Sequence, residues 1–127
     1  MNDLMSPLPR FDLAPAQQRA LQRSMGRMST ALAAYRQAID HSGEIHDYAA
    51  FKAFQSLSAA AALRNAALMQ GFLTPEIDRQ LVKLSEDYVR GLRATRNAAD
   101  ARLLQLAADV AAGRIDGDGL INRLLGK

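Results

Sequence analysis

The amino-acid sequence predicts an all-α protein, and three observations lead to that prediction. Alanine and leucine together make up about a third of the 127 residues, whereas the β-branched residues valine and isoleucine, which lose rotamer freedom in a helix, are few. Apolar residues recur at helical spacings of three and four. The prolines and six of the eight glycines fall at the ends of these stretches or between them. We therefore predict a three-helix up-down-up bundle with a long third helix and a short C-terminal helix.

The chain has the length of one domain, which the sequence divides into three parts. Residues 1–13 are a proline-containing N-terminal segment, residues 14–113 the three-helix bundle, and residues 114–127 a turn and a short amphipathic C-terminal helix. A chain of 127 residues is long enough to bury a core of its own. The absence of cysteine excludes disulfides, thiolate catalysis and cysteine-containing zinc sites.

The first two helices are predicted from capping signals and apolar stripes. Pro15 suits a first helical position, and Gly43 suits the left-handed residue that ends a helix. Asp47 is a candidate N-cap for the second helix, which we expect from about Tyr48 to Gln70. Its alanine-rich middle, residues 59–62, should let a neighbouring helix approach closely. We expect the first helix to bury Leu21, Met25, Met28, Leu32, Tyr35 and Ile39, and the second to place Phe51, Phe54, Leu57, Ala61, Leu68 and Phe72 near one face.

The third helix is predicted from an eleven-residue repeat. Thr74 and Pro75 form a clear start signal, and no strong stop signal precedes Gly113. Eleven residues fill three turns at about 3.67 residues per turn, so the apolar stripe stays nearly straight along the helix. We therefore expect one helix over residues 75–112, roughly 57 Å long at about 1.5 Å per residue. Its stripe consists of Ile77, Leu81, Leu84, Tyr88, Leu92, Thr95, Ala99, Leu103, Leu106 and Val110.

Such a helix is longer than its two neighbours, so part of its apolar face should extend beyond them. After Gly113 a turn leads into a short segment that is rich in leucine and isoleucine and needs a surface on which to be buried. Whether that surface lies on the same bundle or on another chain is open at this point. The residues that we expect to bind a protein partner or a second copy of the chain are Leu103, Leu106, Val110, Leu120, Ile121, Leu124 and Leu125.

The charge distribution offers a second candidate surface. The formal net charge is +3, and Arg19, Arg23 and Arg27 recur every four residues, which places them on one side of the first helix, away from its apolar stripe. Such a stripe can bind phosphate, nucleic acid or an acidic protein. No aromatic residue is interleaved with it and the flanking glutamines are typical of a solvated face, so nucleic-acid binding is the alternative function.

Metal-binding and catalytic patterns are poorly represented. The string Asp116-Gly-Asp118-Gly resembles the middle of a calcium loop, but Arg114 and Leu125 stand where the first and last ligands belong, so a capped turn is the better interpretation. His41 and His46 flank the first turn at a spacing that matches no ligand motif. The sequence has no nucleophile motif and no phosphate loop. We therefore expect no metal, no cofactor and no enzymatic activity.

The function that these observations favour is a non-enzymatic protein-interaction module: an adaptor, chaperone or assembly subunit that acts through apolar helix faces. A small basic nucleic-acid-binding protein that uses Arg19, Arg23 and Arg27 is the alternative. No stretch approaches the roughly 20 apolar residues of a transmembrane helix. The first residues carry no secretory signal, which favours a cytoplasmic protein.

Overall fold

The structure is a computed structural model that describes residues 12–43, 48–92 and 98–127, and of residues 98–100 the backbone only. The described residues contain no β-strand, so the all-α class is confirmed. None of the described helices combines the length and the apolar character that crossing a bilayer requires. In chain order the helices are α1 (Pro15–Ser42), α2 (Tyr48–Gln70), α3 (Pro75–Leu92), α4 (Ala98–Ala111) and α5 (Gly117–Leu124).

Helix α1 begins and ends where the sequence predicts. Pro15 is its first residue, and the C-terminal Gly43 has a φ of 75° and donates its N–H to the Asp40 carbonyl oxygen at 3.3 Å. Tyr35 of the predicted stripe is half-buried. The other five members of the stripe are buried in the core: Leu21, Met25, Met28, Leu32 and Ile39.

Helix α2 is the centre of the molecule. Each residue from Ser58 to Leu63 is buried, as expected for a stretch of helix that is covered by neighbours on all sides. Two hydrogen bonds show that α1 lies antiparallel to α2. The Ser24 hydroxyl donates to the Ala62 carbonyl oxygen at 2.9 Å, and the Gln17 amide, nearer the start of α1, donates to the Gln70 carbonyl oxygen at the end of α2 at 3.1 Å. The predicted bounds of α2 are confirmed, whereas Asp47, its predicted N-cap, lies outside the described residues.

Helix α3 starts at the predicted capping signal and lies antiparallel to α2. The Thr74 hydroxyl accepts a hydrogen bond from the Ile77 N–H at 3.3 Å, and Pro75 occupies the first helical position. Near this end an ion pair joins Asp78 to Arg64 of α2. Towards the other end the Tyr88 ring meets the Phe54 ring edge-on, with 5.5 Å between the ring centroids.

The predicted single helix over residues 75–112 is not found. Helix α3 ends at Leu92 and α4 begins at Ala98, and residues 93–97 lie outside the described residues. Leu81 near the start of α3 and Val110 near the end of α4 line the same cavity of about 280 Å³. In one straight helix these two residues would be about 43 Å apart, so α4 returns antiparallel to α3. The bundle therefore contains four main helices instead of three.

The eleven-residue repeat nevertheless identifies the buried side of both helices. Ile77, Tyr88 and Leu103 are buried, as its phases require. A stripe determines which side of a helix is buried, but it does not determine whether the chain continues straight. The reversal lets α4 bury its own stripe within the bundle.

Helix α5 packs against α1 and α2 and begins with the predicted capped turn. The Asp116 carboxylate accepts a hydrogen bond from the Gly119 N–H at 2.8 Å. At its first residue, Gly117, a Cβ atom would lie 2.7 Å from the Ala61 carbonyl oxygen and 3.1 Å from Cβ of Asn65. The alanine-rich middle of α2 thus admits a neighbouring helix at very short range, and the approach requires glycine.

This close approach predicts that Gly117→Ala destabilises the fold. The added methyl group would meet a backbone atom that cannot rotate away, so we expect a loss of about 1–3 kcal/mol in the free energy of unfolding, measured by urea denaturation. Gly26→Ala is the matched control, because nothing lies within 4 Å of the Cβ it would add in the interior of α1. That variant should gain about 1 kcal/mol from helix propensity. Equal stabilities of the two variants would contradict the short contact between α5 and α2.

Candidate protein-interaction surface

The structure places most of the predicted partner-binding residues inside the molecule. The C-terminal helix packs on its own bundle, so its apolar residues cover α1 and α2 of the same chain. Leu106 is half-buried against the same core, and Leu125 is 40% exposed. At most 5% of the surface remains exposed for the other five: Leu103, Val110, Leu120, Ile121 and Leu124. Of the predicted set, Leu125 alone has an exposed side chain.

Two grooves meet at Leu125. The first, which we call the α1–α5 groove, has a volume of about 580 Å³ and is lined by Arg23, Gly26, Arg27, Thr30, Ile121, Asn122, Leu125 and Lys127. The second, which we call the α4–α5 groove, has a volume of about 410 Å³. Its lining comprises Ala34, Tyr35, Ala38, Ile39 and Ser42 of α1, Arg102 of α4, and Arg123, Leu124, Leu125 and Gly126. Leu125 therefore forms an apolar ridge between two concave surfaces.

The α1–α5 groove has an apolar floor and a basic rim. Ile121 lines it with only 3% of its own surface exposed, and Gly26 contributes bare backbone. The exposed side chains of Arg23 and Lys127 form no ion pair within the described part of the chain. Arg27 is held by Asp118 of α5, with 3.0 Å between Nη1 and the carboxylate oxygen. The groove thus combines apolar contact area with cationic groups that remain available to a ligand.

The arginine stripe of α1 is consequently divided by α5. Arg19 is exposed and lies outside the groove, one helical turn from Arg23. Arg23 lines the groove, and Arg27 both lines it and pairs with Asp118. The sequence placed these three residues on a face away from the core, but it did not predict that α5 would pack beside them. Nothing in the local sequence signals the Arg27–Asp118 contact, because the partners are 91 residues apart.

The α4–α5 groove continues the basic character on the other side of Leu125. Arg102 Nε donates to the Tyr35 hydroxyl at 3.3 Å, so α4 and α1 are joined across the groove. Arg123 of α5 also lines the groove and is exposed. Within the described residues, no acidic side chain lines either groove. An anionic group that enters from solvent therefore encounters positive charge on both sides of the leucine.

The outer surface of α3 provides a contrast, because its charges compensate one another. Lys83 and Arg90 both contact the Asp87 carboxylate, at 2.8 Å and 3.0 Å. The hydrogen bond from Lys83, aided by the charges of Lys83 and Arg90, lowers the pKa of Asp87. Glu86 lies on the same surface. This face is the ordinary solvated side of an amphipathic helix.

The end of α2 exposes two further apolar residues. Leu68, which the sequence assigned to the apolar face of α2, is 54% exposed, and the neighbouring Met69 is 75% exposed. The cause is the starting point of α5: its first residue lies against Ala61 and Asn65, so the next turn of α2 is left uncovered. Two adjacent exposed residues on a monomer are common and do not by themselves define a site.

Only one of the two histidines that flank the turn after α1 lies in the described part of the chain. His41 is exposed at the end of α1, whereas His46 lies outside the described residues. Across residues 12–43, 48–92 and 98–127, no three histidine, aspartate or glutamate side chains come together. The Asp116–Asp118 string is used in the fold instead, since Asp116 caps α5 and Asp118 holds Arg27.

The Asp109 carboxylate stabilises the turn that leads into α5 through hydrogen bonds to two side chains. Asp109 at the end of α4 accepts hydrogen bonds from Arg114 Nε at 2.8 Å and from the Gln105 amide at 3.1 Å. These hydrogen bonds, that of Arg114 foremost, lower the pKa of Asp109 against the opposing effect of burial. Gly113, with a φ of 74°, completes the turn, and the Arg114 N–H donates to the Asp109 carbonyl oxygen at 2.8 Å. Asp109 thus connects the α4 terminus to the segment that leads into the grooves.

Comparison with protein-family models, with curated proteins and with solved structures finds no match to this chain. The function is therefore inferred from the geometry of the surface around Leu125.

The lowered pKa of Asp109 predicts an acid-sensitive contribution to stability. A carboxylate whose pKa is lower in the folded state stabilises the fold above its unfolded pKa of about 4, and this stabilisation is lost as the pH falls through the lowered folded value. We expect Asp109→Asn to be less stable than the parent at pH 7 and to lose less stability on acidification. Thermal unfolding followed from about pH 5 to pH 2 measures both effects.

Glu86→Gln is the control for that measurement, because it neutralises an exposed carboxylate on the charge-compensated face of α3. Its acid profile should stay close to that of the parent. If Asp109→Asn instead follows the parent curve at every pH, the Arg114 contact contributes nothing to folding.

Proposed function

We propose that this chain is a non-enzymatic protein-interaction module, an adaptor, chaperone or assembly subunit, whose contact surface is the pair of grooves around Leu125. The observation that carries the proposal is an exposed leucine between two grooves that are lined by cationic and apolar groups without an acidic side chain among the described residues. Protein interfaces characteristically join an apolar centre to a polar rim, and arginine is enriched in them.

The chemistry of the lining residues favours binding over catalysis. The charged side chains that line the two grooves are those of Arg23, Arg27, Arg102, Arg123 and Lys127, which carry guanidinium groups and one ammonium group. A guanidinium group stays protonated at every physiological pH, so it can hold an anion but does not exchange protons as a general base does. The grooves thus offer charge and apolar contact area, which are the requirements of recognition.

A different protein is a better partner than a second copy of the chain. In a two-fold symmetric dimer the same surface patch meets itself. Two copies of this face would bring the cations that line one groove against those of the other, and like charges across an interface are costly. We therefore propose a heterologous partner with an acidic contact surface.

Nucleic-acid binding is the second candidate, and one observation favours it. The exposed Arg19 and Arg23 of α1 are joined by Lys127 and Arg123 from the C-terminal segment, so the basic face is wider than the sequence stripe alone. The Arg27–Asp118 pair weakens the case, because it places a carboxylate beside the stripe. A phosphate backbone also offers no apolar group that could pack against Leu125, which lies between the cations.

The proposal predicts that a partner protein lies against Leu125. We expect Leu125→benzoylphenylalanine, introduced into the chain in its native cells, to form on irradiation a cross-link to a discrete protein that mass spectrometry identifies. The same photoreactive residue at Glu86 is the matched control, since it samples the charge-compensated face of α3. Adding Arg23→Glu and Lys127→Glu should remove the cross-link.

The opposite pattern would refute this assignment. A protein that cross-links equally from positions 125 and 86, or one that persists after both charge reversals, does not recognise the grooves. The absence of any cross-linked protein at position 125 would likewise count against a partner there.

The alternative function predicts a salt-sensitive shift of a labelled DNA or RNA. If the stripe binds nucleic acid, replacing Arg19, Arg23 and Arg27 together by alanine should abolish the shift, because each phosphate contact contributes to the salt dependence. Fluorescence anisotropy at two salt concentrations measures it. If the parent protein gives no shift at low salt, this alternative is excluded.

A further inference from the structure

We infer that the α1–α5 groove accommodates an acidic amphipathic helix of a partner protein, with apolar side chains against Gly26, Ile121 and Leu125 and carboxylates facing Arg23 and Lys127. This inference rests on the proposed function and names the chemistry of the partner at that surface. Four features of the groove support it: the glycine in its floor, its shape, its charge and the way in which the chain's own α5 is bound.

Gly26 is the first feature. It lies in the interior of the 28-residue helix α1, where glycine is less favourable than alanine. The fold makes no use of it, because its φ is not positive and nothing lies within 4 Å of the Cβ that alanine would add. Gly117 differs, since a Cβ there would strike the backbone of Ala61. What Gly26 does provide is an open floor in the α1–α5 groove, where another side chain or backbone can approach α1 closely.

The shape of the groove is the second feature. Helix α5 runs alongside α1 in the same direction, with Asp118 beside Arg27 at its start and Leu124 sharing a groove with Ala34 and Ala38 near its end. A channel between two neighbouring helices matches the contour of a third helix, which inserts apolar side chains spaced three and four residues apart. The volume of about 580 Å³ is large enough for several such side chains.

Charge is the third feature. Arg23 and Lys127 flank the apolar floor without an ion pair in the described residues, so a basic segment would be repelled and an acidic one attracted. A nucleic-acid backbone could reach these cations, but it has no apolar groups for Ile121 and Leu125. A membrane surface is flat on this scale and cannot enter a concave channel. An acidic helix with one apolar face satisfies both the rim and the floor.

Helix α5 itself is the fourth feature, because it already binds α1 in the way that we infer for the partner. It buries Leu120, Ile121 and Leu124 while its Asp118 contacts Arg27 at 3.0 Å. The chain therefore contains one amphipathic helix that meets α1 through leucine and isoleucine on one side and a carboxylate on the other. The partner helix would repeat this arrangement on the next side of α1, with Arg23 in the role of Arg27.

The test uses the full chain, labelled with nitrogen-15, and two synthetic peptides. The probe is a lactam-stapled helix of about 14 residues, built from leucine and glutamate with the leucines three and four residues apart on one face. The control peptide has the same composition, but its leucines are distributed around the helix. We expect the probe to shift backbone amide signals of residues 23–30 and 121–127 and to bind about tenfold or more tightly than the control.

Two glycine variants separate binding from folding. The methyl group added by Gly26→Ala should fill the floor of the groove and lower the affinity for the probe about tenfold, although the protein becomes more stable to urea. Gly91→Ala is the matched control, because Gly91 is an exposed glycine of α3 with nothing within 4 Å of its added Cβ and lies outside the groove. Its affinity for the probe should equal that of the parent. Arg23→Glu should also lower the affinity for the probe about tenfold.

Several outcomes would overturn the inference. These are signal changes outside the two segments, equal affinities for the two peptides, unchanged affinity in Gly26→Ala, or no binding of the probe at all. Displacement of the probe by a DNA duplex or by vesicles of phosphatidylserine at equal charge would overturn it as well. A partner that cross-links at position 125, combined with failure of the probe, would leave the proposed function standing and refute only the acidic helix. Probe binding without any cross-linked partner would instead refute the proposed function.

Discussion

The burial of the middle of α2 on all sides is the constraint on which the rest of the structure depends. The six consecutive buried residues from Ser58 to Leu63 give this stretch of α2 no solvated face, so neighbours must cover every direction around it. Small side chains make this possible, because four of those residues are alanine and adjacent helices can come close. The small side chains allow Gly117 to approach the Ala61 carbonyl oxygen so closely that a Cβ atom would not fit between them. The course of α1, α3, α4 and α5 follows from the need to surround one helix.

The grooves result from the short length of α5, the last helix to cover the middle of α2. Helix α5, with eight residues, is about 12 Å long, whereas α1, with 28 residues, is about 42 Å long. A helix so much shorter than its neighbour closes the core but leaves its flanks unfilled. The same mismatch leaves Leu68 and Met69 uncovered beyond the start of α5. The α1–α5 groove, unlike that end of α2, also carries charge, and for this reason we propose the groove as the binding surface.

The sequence predicts the local features well and the long-range ones poorly. The starts of α1 and α3 and the Asp116 cap depend on interactions within four residues, and they are found where expected. The reversal between α3 and α4 could not be read from the stripe, because one phase pattern fits both a straight helix and two antiparallel helices. For the same reason the sequence leaves open whether the C-terminal leucines pack on the same bundle or on a partner, since their pattern signals burial but not the surface against which it occurs. Leu125 belongs to the predicted set, yet its special position depends on where α5 ends on α1.

The Arg27–Asp118 pair indicates different roles for charge and for apolar contact in the proposed binding at this surface. Both side chains are about half exposed, at 57% and 48%, and an exposed ion pair contributes little to stability. Arg27 can therefore leave Asp118 for another carboxylate at small cost, which makes it a third cation for a ligand alongside Arg23 and Lys127. Exposed cations of this kind mainly steer the approach and select the sign of the partner. In the proposed complex most of the apolar area buried by the ligand would come from the exposed Leu125, with close approach at Gly26, so a ligand with charge alone would be attracted to this face without being retained.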